Sequence, residues 1–292
     1  MASVSTWILA SRPKTLFATV APVLVGTAMA VEAGGVHILS ATLCLLAATL
    51  IQIGTNFHND VADFEKGVDT ADRSGPLRAT AAGLVTASQM KRATIFTFTL
   101  AVLSGGYLMW RGGWSIVVIG ALSILFGFLY TAGRFSLSSL GVADVFVFVF
   151  FGPVAVAGTY YVQVLAMSPA VLLAGVAPGL LSVAILLVNN IRDVEEDREA
   201  GKNTLVVRVG RVWGTHLYLM CIVVAAGVPI ALTLWQPAKS LVLIAVLAIP
   251  VLVPAWRTLR ASKEGHVLNP ILARTAQILM LYSILFSIGW SL

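Results

Sequence analysis

Two acidic clusters, one at Asn56, Asn59, Asp60 and Asp63 and the other at Asn189, Asn190, Asp193 and Asp197, each follow a long apolar run in a chain with few other carboxylates. Both contain Asn-x3-Asp. On a helix this spacing sets the two side chains on one face, a turn apart, so Asn189, Asp193 and Asp197 read as one polar stripe. Carboxylates stacked in this way repel each other and need a partner. A hard divalent cation such as Mg2+ takes oxygen ligands of this kind and usually shares its shell with substrate phosphate. Two such stripes facing one another have the donors to hold a diphosphate.

The elements that must position these groups follow from composition. The 292 residues are 58% hydrophobic and 11% charged, with a mean hydropathy of +0.92, whereas soluble proteins carry about 25% charged residues. A soluble domain is excluded. A membrane-crossing helix needs about 20 apolar residues, and nine runs approach that length: roughly 15–33, 37–56, 91–110, 113–131, 141–162, 168–189, 214–235, 238–256 and 270–290. The first contains Pro22 and lacks a cleavage pattern, so it reads as a span and not a signal peptide. The expected fold is all-α and polytopic, with residues 1–292 forming a single domain of nine transmembrane helices around a cavity that opens near the cytoplasmic face.

Orientation comes from the basic residues. Seventeen of the 19 Lys and Arg fall in one set of connections, and only Arg111 and Lys239 in the other. The positive-inside rule then makes the N-terminus cytoplasmic, in the plasma (inner) membrane of a bacterium. Both acidic clusters emerge on that same face, and segments 60–90 and 190–213 hold 10 of the 13 carboxylates. The net charge of +6 suits an anionic leaflet and anionic substrates, and no nucleic-acid module is present in the sequence. Cys44 and Cys221 fall inside spans and read as packing residues. The shared Asn-x3-Asp spacing, each at the end of an even-numbered span, suggests two related halves.

Asn59-Asp60-x2-Asp63 after the second span, Asp193-x3-Asp197 after the sixth, and Gly201-Lys202-Asn203-Thr204-Leu205 together resemble the UbiA-type intramembrane prenyltransferases over essentially the whole chain. Several further stretches resemble the branch of that family acting on 1,4-dihydroxy-2-naphthoate in menaquinone synthesis. These are Arg12-Pro13-Lys14-Thr15-Leu16 with Ala21-Pro22-Val23, Asp72-Arg73-Ser74-Gly75-Pro76-Leu77-Arg78, Tyr130-Thr131-Ala132-Gly133, and Val188-Asn189-Asn190-Ile191-Arg192-Asp193.

The resemblance implies transfer of a polyprenyl group from polyprenyl diphosphate to an aromatic acceptor, 1,4-dihydroxy-2-naphthoate in this branch, with Mg2+ required and CO2 released. It implies that Asn56, Asp60 and Asp63 hold one Mg2+ and Asn189, Asp193 and Asp197 another. Taken alone, the first set is also what a solvated helix end looks like. Asp69 resembles the last carboxylate of the family's longer first motif, although six residues separate it from Asp63 where many members have four. Lys202, Arg73, Arg78, Arg192 and Arg134 are candidates for the diphosphate oxygens or the acceptor carboxylate, and the positive-inside rule by itself also accounts for cations there. Tyr130 would lie near the reacting carbon, or else act as an interfacial anchor. Arg12 and Lys14 are placed to face the acceptor, or to anchor the first span. Asp144, just inside the fifth span, is costly in hydrocarbon and so reads as functional or paired. Asn59 joins the substrate-binding set. His58 turns away from the stripe, and Gly152-Pro153 and Pro178-Gly179 read as kinks.

Other readings make different demands on the chain. A family member with another acceptor, such as 4-hydroxybenzoate, would share every motif of the diphosphate site. A cation-coupled transporter would place carboxylates near mid-bilayer, whereas here they gather on one face.

Overall fold

The computed structural model describes residues 3–67, 77–132, 136–262 and 264–292. Among these the regular elements are all helical: α1 (Val4–Ser11), α2 (Pro13–Glu32), α3 (Ile38–Glu65), α4 (Ala87–Gly112), α5 (Trp114–Leu129), α6 (Ala143–Phe150), α7 (Pro153–Val164), α8 (Pro169–Arg192), α9 (Val194–Glu199), α10 (Leu205–Val209), α11 (Arg211–Trp235), a 3₁₀ helix over Pro237–Val251 that continues into α12 (Leu252–Ala261), and α13 (Gly265–Ser291). Local chemistry sets several of the ends. Pro13, Pro153 and Pro169 stand in the first turn of their helices, where the missing N–H has no cost. Thr86 and Gln89 cap α4 reciprocally.

Eight helices among the described residues are long and apolar enough to cross a bilayer, counting α6 with α7 and the 3₁₀ helix with α12. At the remaining expected span the helix is shorter than a full crossing. The run at 113–131 forms α5, only 16 residues long, because Gly113 begins it and the chain leaves the helix at Tyr130; at 1.5 Å per residue it rises about 24 Å. The chain is thus a multi-pass membrane protein, with eight long apolar helices and one shorter one among the described residues.

α8 is the axis of the bundle. It packs against α2, α6, α7, α11 and α13, and Leu181, Ala184, Leu187, Val188 and Ile191 on it are all but inaccessible. α3 and α4 pair at the periphery, with a small separate core of Ala10, Phe57, Val61, Ala79, Val85 and Met90. The fifth span is broken between α6 and α7 where it crosses α8. A Cβ on Gly152 would stand 2.6 Å from the Gly175 and Phe148 carbonyl oxygens and 2.7 Å from Gly179 Cα. The two backbones touch there, and this crossing fixes the wall of the cavity described next.

Candidate active site

A cavity of about 350 Å³ lies between α2, α3, α4, α5, α6, α7 and α8. Because the helices alternate in direction, the start of α2 and the ends of α3, α5 and α8 share one end of the bundle. Polar side chains line the cavity mainly at that end: Arg12, Asn56, Asn59, Tyr130 and Asn189. Below them the wall is mostly apolar, broken by hydroxyls of Thr19, Ser123, Thr159 and Ser182. Arg12 joins α1 to α2 in the left-handed region, at φ 52°, a conformation that costs a non-glycine residue about 1 kcal/mol or more and turns the chain into the cavity mouth.

The first cluster lies on a continuous helix, as the spacing requires. α3 runs to Glu65, and Asn56, Asp60 and Asp63 share its buried face. Asn56 Nδ2 donates to the Ser11 carbonyl at 2.9 Å and to Thr15 Oγ1 at 3.1 Å. Gln52 extends the stripe one turn back, its Nε2 3.4 Å from Asn56 Oδ1. Asp60 accepts two backbone N–H groups, from Ala79 and Thr80, each at 2.9 Å. Asp63 accepts from Arg78 Nη2 at 3.0 Å and lies 3.3 Å from Lys202 Nζ. Asn59 Oδ1 accepts from Thr131 Oγ1, and Lys66 Nζ donates to the Thr131 carbonyl, so two bonds tie α3 to the end of α5. Burial holds the Lys66 pKa below the ordinary lysine value, with the Asp63 charge opposing that shift.

The second cluster corrects the expectation of one helical stripe. α8 ends at Arg192, Asp193 leaves helical geometry at φ −95° and ψ 12°, and α9 starts at Val194. A side-chain pair accompanies the break. Arg192 turns back on its neighbour as a fork, Nε 2.5 Å and Nη2 2.7 Å from the two Asp193 carboxylate oxygens. The same guanidinium donates to Asn189 Oδ1 at 2.7 Å and Asn269 Oδ1 at 2.9 Å. Asp193 is buried and Asp197 half-buried. The Asp197 carbonyl accepts the Lys202 N–H at 2.8 Å, and Gly201, at φ 70°, makes the turn that carries Lys202 across to Asp63. Through Lys202 the two clusters converge.

Other candidate residues are distributed unevenly. Arg78 is buried at the first cluster and Arg12 and Tyr130 line the cavity. Lys14 is not brought in: it is exposed at the start of α2. Asp144 is buried in the first turn of α6, and among the described residues neither of its carboxylate oxygens has a hydrogen-bond partner; it is not part of the cavity lining. Asp69, Arg73 and Arg134 lie outside the described residues. His58 stacks on Phe128 with ring centroids 4.2 Å apart, away from the stripe. Sequence reasoning missed Gln52, Thr131, Asn269 and the amides of Ala79 and Thr80. Gln52 had a signal, since it stands four residues before Asn56 on the same face, and so did Thr131, inside the stretch Tyr130-Thr131-Ala132-Gly133.

The donor set suits a hard cation. The Asn and Asp side chains of both clusters offer oxygen, and Asp63 Oδ1 is buried and faces only the Lys202 ammonium, at 3.3 Å, among the described residues. No group of three or more His, Cys, Asp or Glu converges among those residues. Mg2+ commonly takes one or two carboxylates and completes its shell from water and phosphate, a demand that pairs such as Asp60 with Asn56 can meet in donor type.

The profile of the UbiA prenyltransferase family matches residues 19–268. The chain belongs to the UbiA prenyltransferase family. It is 38% identical over 290 residues to a 1,4-dihydroxy-2-naphthoate octaprenyltransferase of Escherichia coli (strain K12), spanning 97% of this chain and 94% of that one. The corresponding protein of Mycobacterium tuberculosis is 34% identical over 284 residues, spanning 97% and 96%. In fold it is similar to a UbiA homolog from Aeropyrum pernix K1, with a TM-score of 0.72 at 15% identity over 94% of this chain and 96% of that chain. It is also similar to a UbiA homolog from Archaeoglobus fulgidus bound to GPP and Mg2+, with a TM-score of 0.65 at 15% identity over 98% and 100%. The polar mouth and apolar cavity therefore belong to a prenyltransferase of the UbiA family.

Proposed function

We propose that this enzyme transfers a polyprenyl group from its diphosphate to 1,4-dihydroxy-2-naphthoate, releasing diphosphate and CO2 and giving demethylmenaquinone, at the cytoplasmic face of the plasma membrane with its N-terminus inside. The observation that carries the reading is the approach of Lys202 to Asp63 at 3.3 Å, which joins both acidic clusters at the polar end of an apolar cavity. The names of the relatives supply the acceptor.

The chain's own residues divide the work. Asn56, Asp60 and Asp63 on one side and Asn189, Asp193 and Asp197 on the other would hold Mg2+, which when bound offsets the negative charge that grows on the departing diphosphate. Lys202, Arg78 and Arg192, already at the carboxylates, add fixed positive charge at the same place. The C–O bond of the prenyl diphosphate breaks with its electron pair leaving on oxygen. The allylic cation left behind must be kept from water, and the apolar wall below Tyr130 does this. The electron-rich ring then forms the new C–C bond at the carbon bearing the carboxylate, and departure of CO2 returns its electron pair to the ring. Arg12 and Tyr130 stand where the acceptor must enter.

The test is incubation of the purified protein with dihydroxynaphthoate, a polyprenyl diphosphate and Mg2+, followed by mass analysis. The expected product is the prenylated ring without its carboxyl, with 4-hydroxybenzoate a poor acceptor and EDTA abolishing turnover until Mg2+ is restored. Efficient prenylation of 4-hydroxybenzoate in preference to the naphthoate would reject the acceptor assignment.

A further inference from the structure

α5 carries Tyr130 at the cavity mouth, yet packing holds it weakly. Of its 16 residues only Ile116 is buried, and Phe128 and Leu129 in its last turn are exposed. Local backbone bonds secure part of that end: the Tyr130 N–H donates to the Phe126 carbonyl at 2.9 Å, and its carbonyl accepts the Ser138 N–H at 3.2 Å. Neither bond reaches another helix. A side chain that must meet a substrate needs a firmer seat, since small misplacements of reacting groups cost much of the rate.

That seat comes from α3, through a face separate from its acidic stripe. At about 100° per residue, Gln52, Asn56, Asp60 and Asp63 share one side of the helix, while Thr55, Asn59 and Lys66 share another about a quarter turn away. The second face grips α5. A Cβ on Gly127 would stand 2.4 Å from Thr55 Oγ1, so the α5 backbone rests directly against that hydroxyl. Between the two faces of contact, His58 stacks on Phe128 with planes 21° apart. Thr131 then closes the end twice over: its hydroxyl donates to Asn59 Oδ1, and its carbonyl accepts from Lys66 Nζ. Thr131 is 3% exposed and Asn59 6%, so the hydroxyl bond is shielded from water. Lys66 is an exposed residue whose ammonium nonetheless reaches a neutral carbonyl, while Arg78 and Lys202 take the Asp63 carboxylate. Membrane orientation asks for a cation at this end of the helix and not for that bond.

We propose that Thr131 is a positioning residue for the acceptor: clamped between Asn59 and Lys66, it holds the end of α5 on α3 and thereby sets the Tyr130 ring against the incoming aromatic substrate. The proposal rests on the prenyl-transfer reading. It adds to that reading two residues, Thr131 and Lys66, that act on the acceptor through Tyr130 and leave the diphosphate to the other face of α3.

The test is a set of initial rates for the purified full-length protein with farnesyl diphosphate, dihydroxynaphthoate and Mg2+, each substrate varied in turn. Thr131→Val keeps the shape and removes the hydroxyl donor. It should raise KM for the naphthoate about tenfold, the scale of one buried hydrogen bond with its acceptor left unpaired, while KM for the diphosphate stays within about twofold. Thr131→Ser restores the donor and should return the naphthoate KM to within about twofold of the parent. Lys66→Met, losing a more exposed bond, should raise it about threefold. In a Tyr130→Leu background Thr131→Val should add less than about twofold, because residues that act through one another are not additive. Three results overturn the proposal: an unchanged naphthoate KM in Thr131→Val, a rise confined to the diphosphate KM, or full additivity with Tyr130→Leu, which would place the effect on Asn59. Failure of the parent protein to prenylate the naphthoate is a separate result, which rejects the prenyl-transfer reading itself.

Discussion

The two Asn-x3-Asp clusters have the same spacing and opposite settings. α3 is peripheral, with 11% of its most apolar stretch buried, whereas α8 is central, with 72% of its stretch buried. On α3 the carboxylates are met by groups arriving from elsewhere in the chain: the amides of Ala79 and Thr80, the guanidinium of Arg78 and the ammonium of Lys202. On α8 the fork on Asp193 comes from the residue immediately before it. The difference teaches how buried charge and packing share the task. A helix with so little of its apolar stretch buried has its polar end fastened by incoming segments, so Asp60 and Asp63 are anchors as well as ligand candidates. A helix already fixed by packing can neutralise its carboxylate locally, with the neighbouring guanidinium.

The largest effect is expected at Asp60. Asp60→Ala removes a proposed metal ligand and the acceptor of two buried N–H groups, so turnover should fall by about 10³-fold or more and stability by about 1–3 kcal/mol for each amide left without its acceptor. Assay and thermal melts of the purified variant measure both; a variant with normal Tm would show that α3 is not fastened through this carboxylate. Next is Arg192→Ala, which removes a bidentate pair from a buried site and should cost about 3 kcal/mol, with Arg192→Lys intermediate because it keeps charge without the fork. Equal melting of the Ala and Lys variants would mean that geometry at Asp193 is unimportant. Lys202→Met should reduce kcat/KM about tenfold, one lost charge-assisted contact, while shifting stability by less than about 1 kcal/mol; initial rates against diphosphate concentration separate the two. The smallest effect belongs to the exposed pair Lys91–Glu65 at the end of α3. Lys91→Ala should change stability by about 0.5 kcal/mol at most, and a larger loss would break the rule that only inward-facing charges fasten this helix.

Length and hydropathy made the spans legible, because a chain segment in lipid has few alternatives to a helix. α5 came out shorter than its apolar run because Gly113 and the exit at Tyr130 trim both ends. The first cluster was legible as a stripe since α3 continues unbroken past Asp60. The second was not: the break at Asp193 has neither Gly nor Pro to announce it. Ala79 and Thr80 act through backbone N–H groups, which no side-chain pattern records. Asn269 reaches Arg192 across 77 positions of sequence, a separation that spacing within one helix cannot reveal.

Where the fifth span crosses α8, Gly152, Gly175 and Gly179 meet with no room for a carbon atom on any of them. Stated as sequence information, these are three positions whose alphabet has shrunk to one letter, and the restriction is joint: enlarging one residue cannot be compensated by reducing another that is already the smallest available. The cavity wall beside them can drift toward new prenyl lengths or new acceptors by ordinary exchange of apolar side chains. The crossing itself has no neutral neighbours, so diversification of this site is confined to surfaces that leave those three glycines where they are.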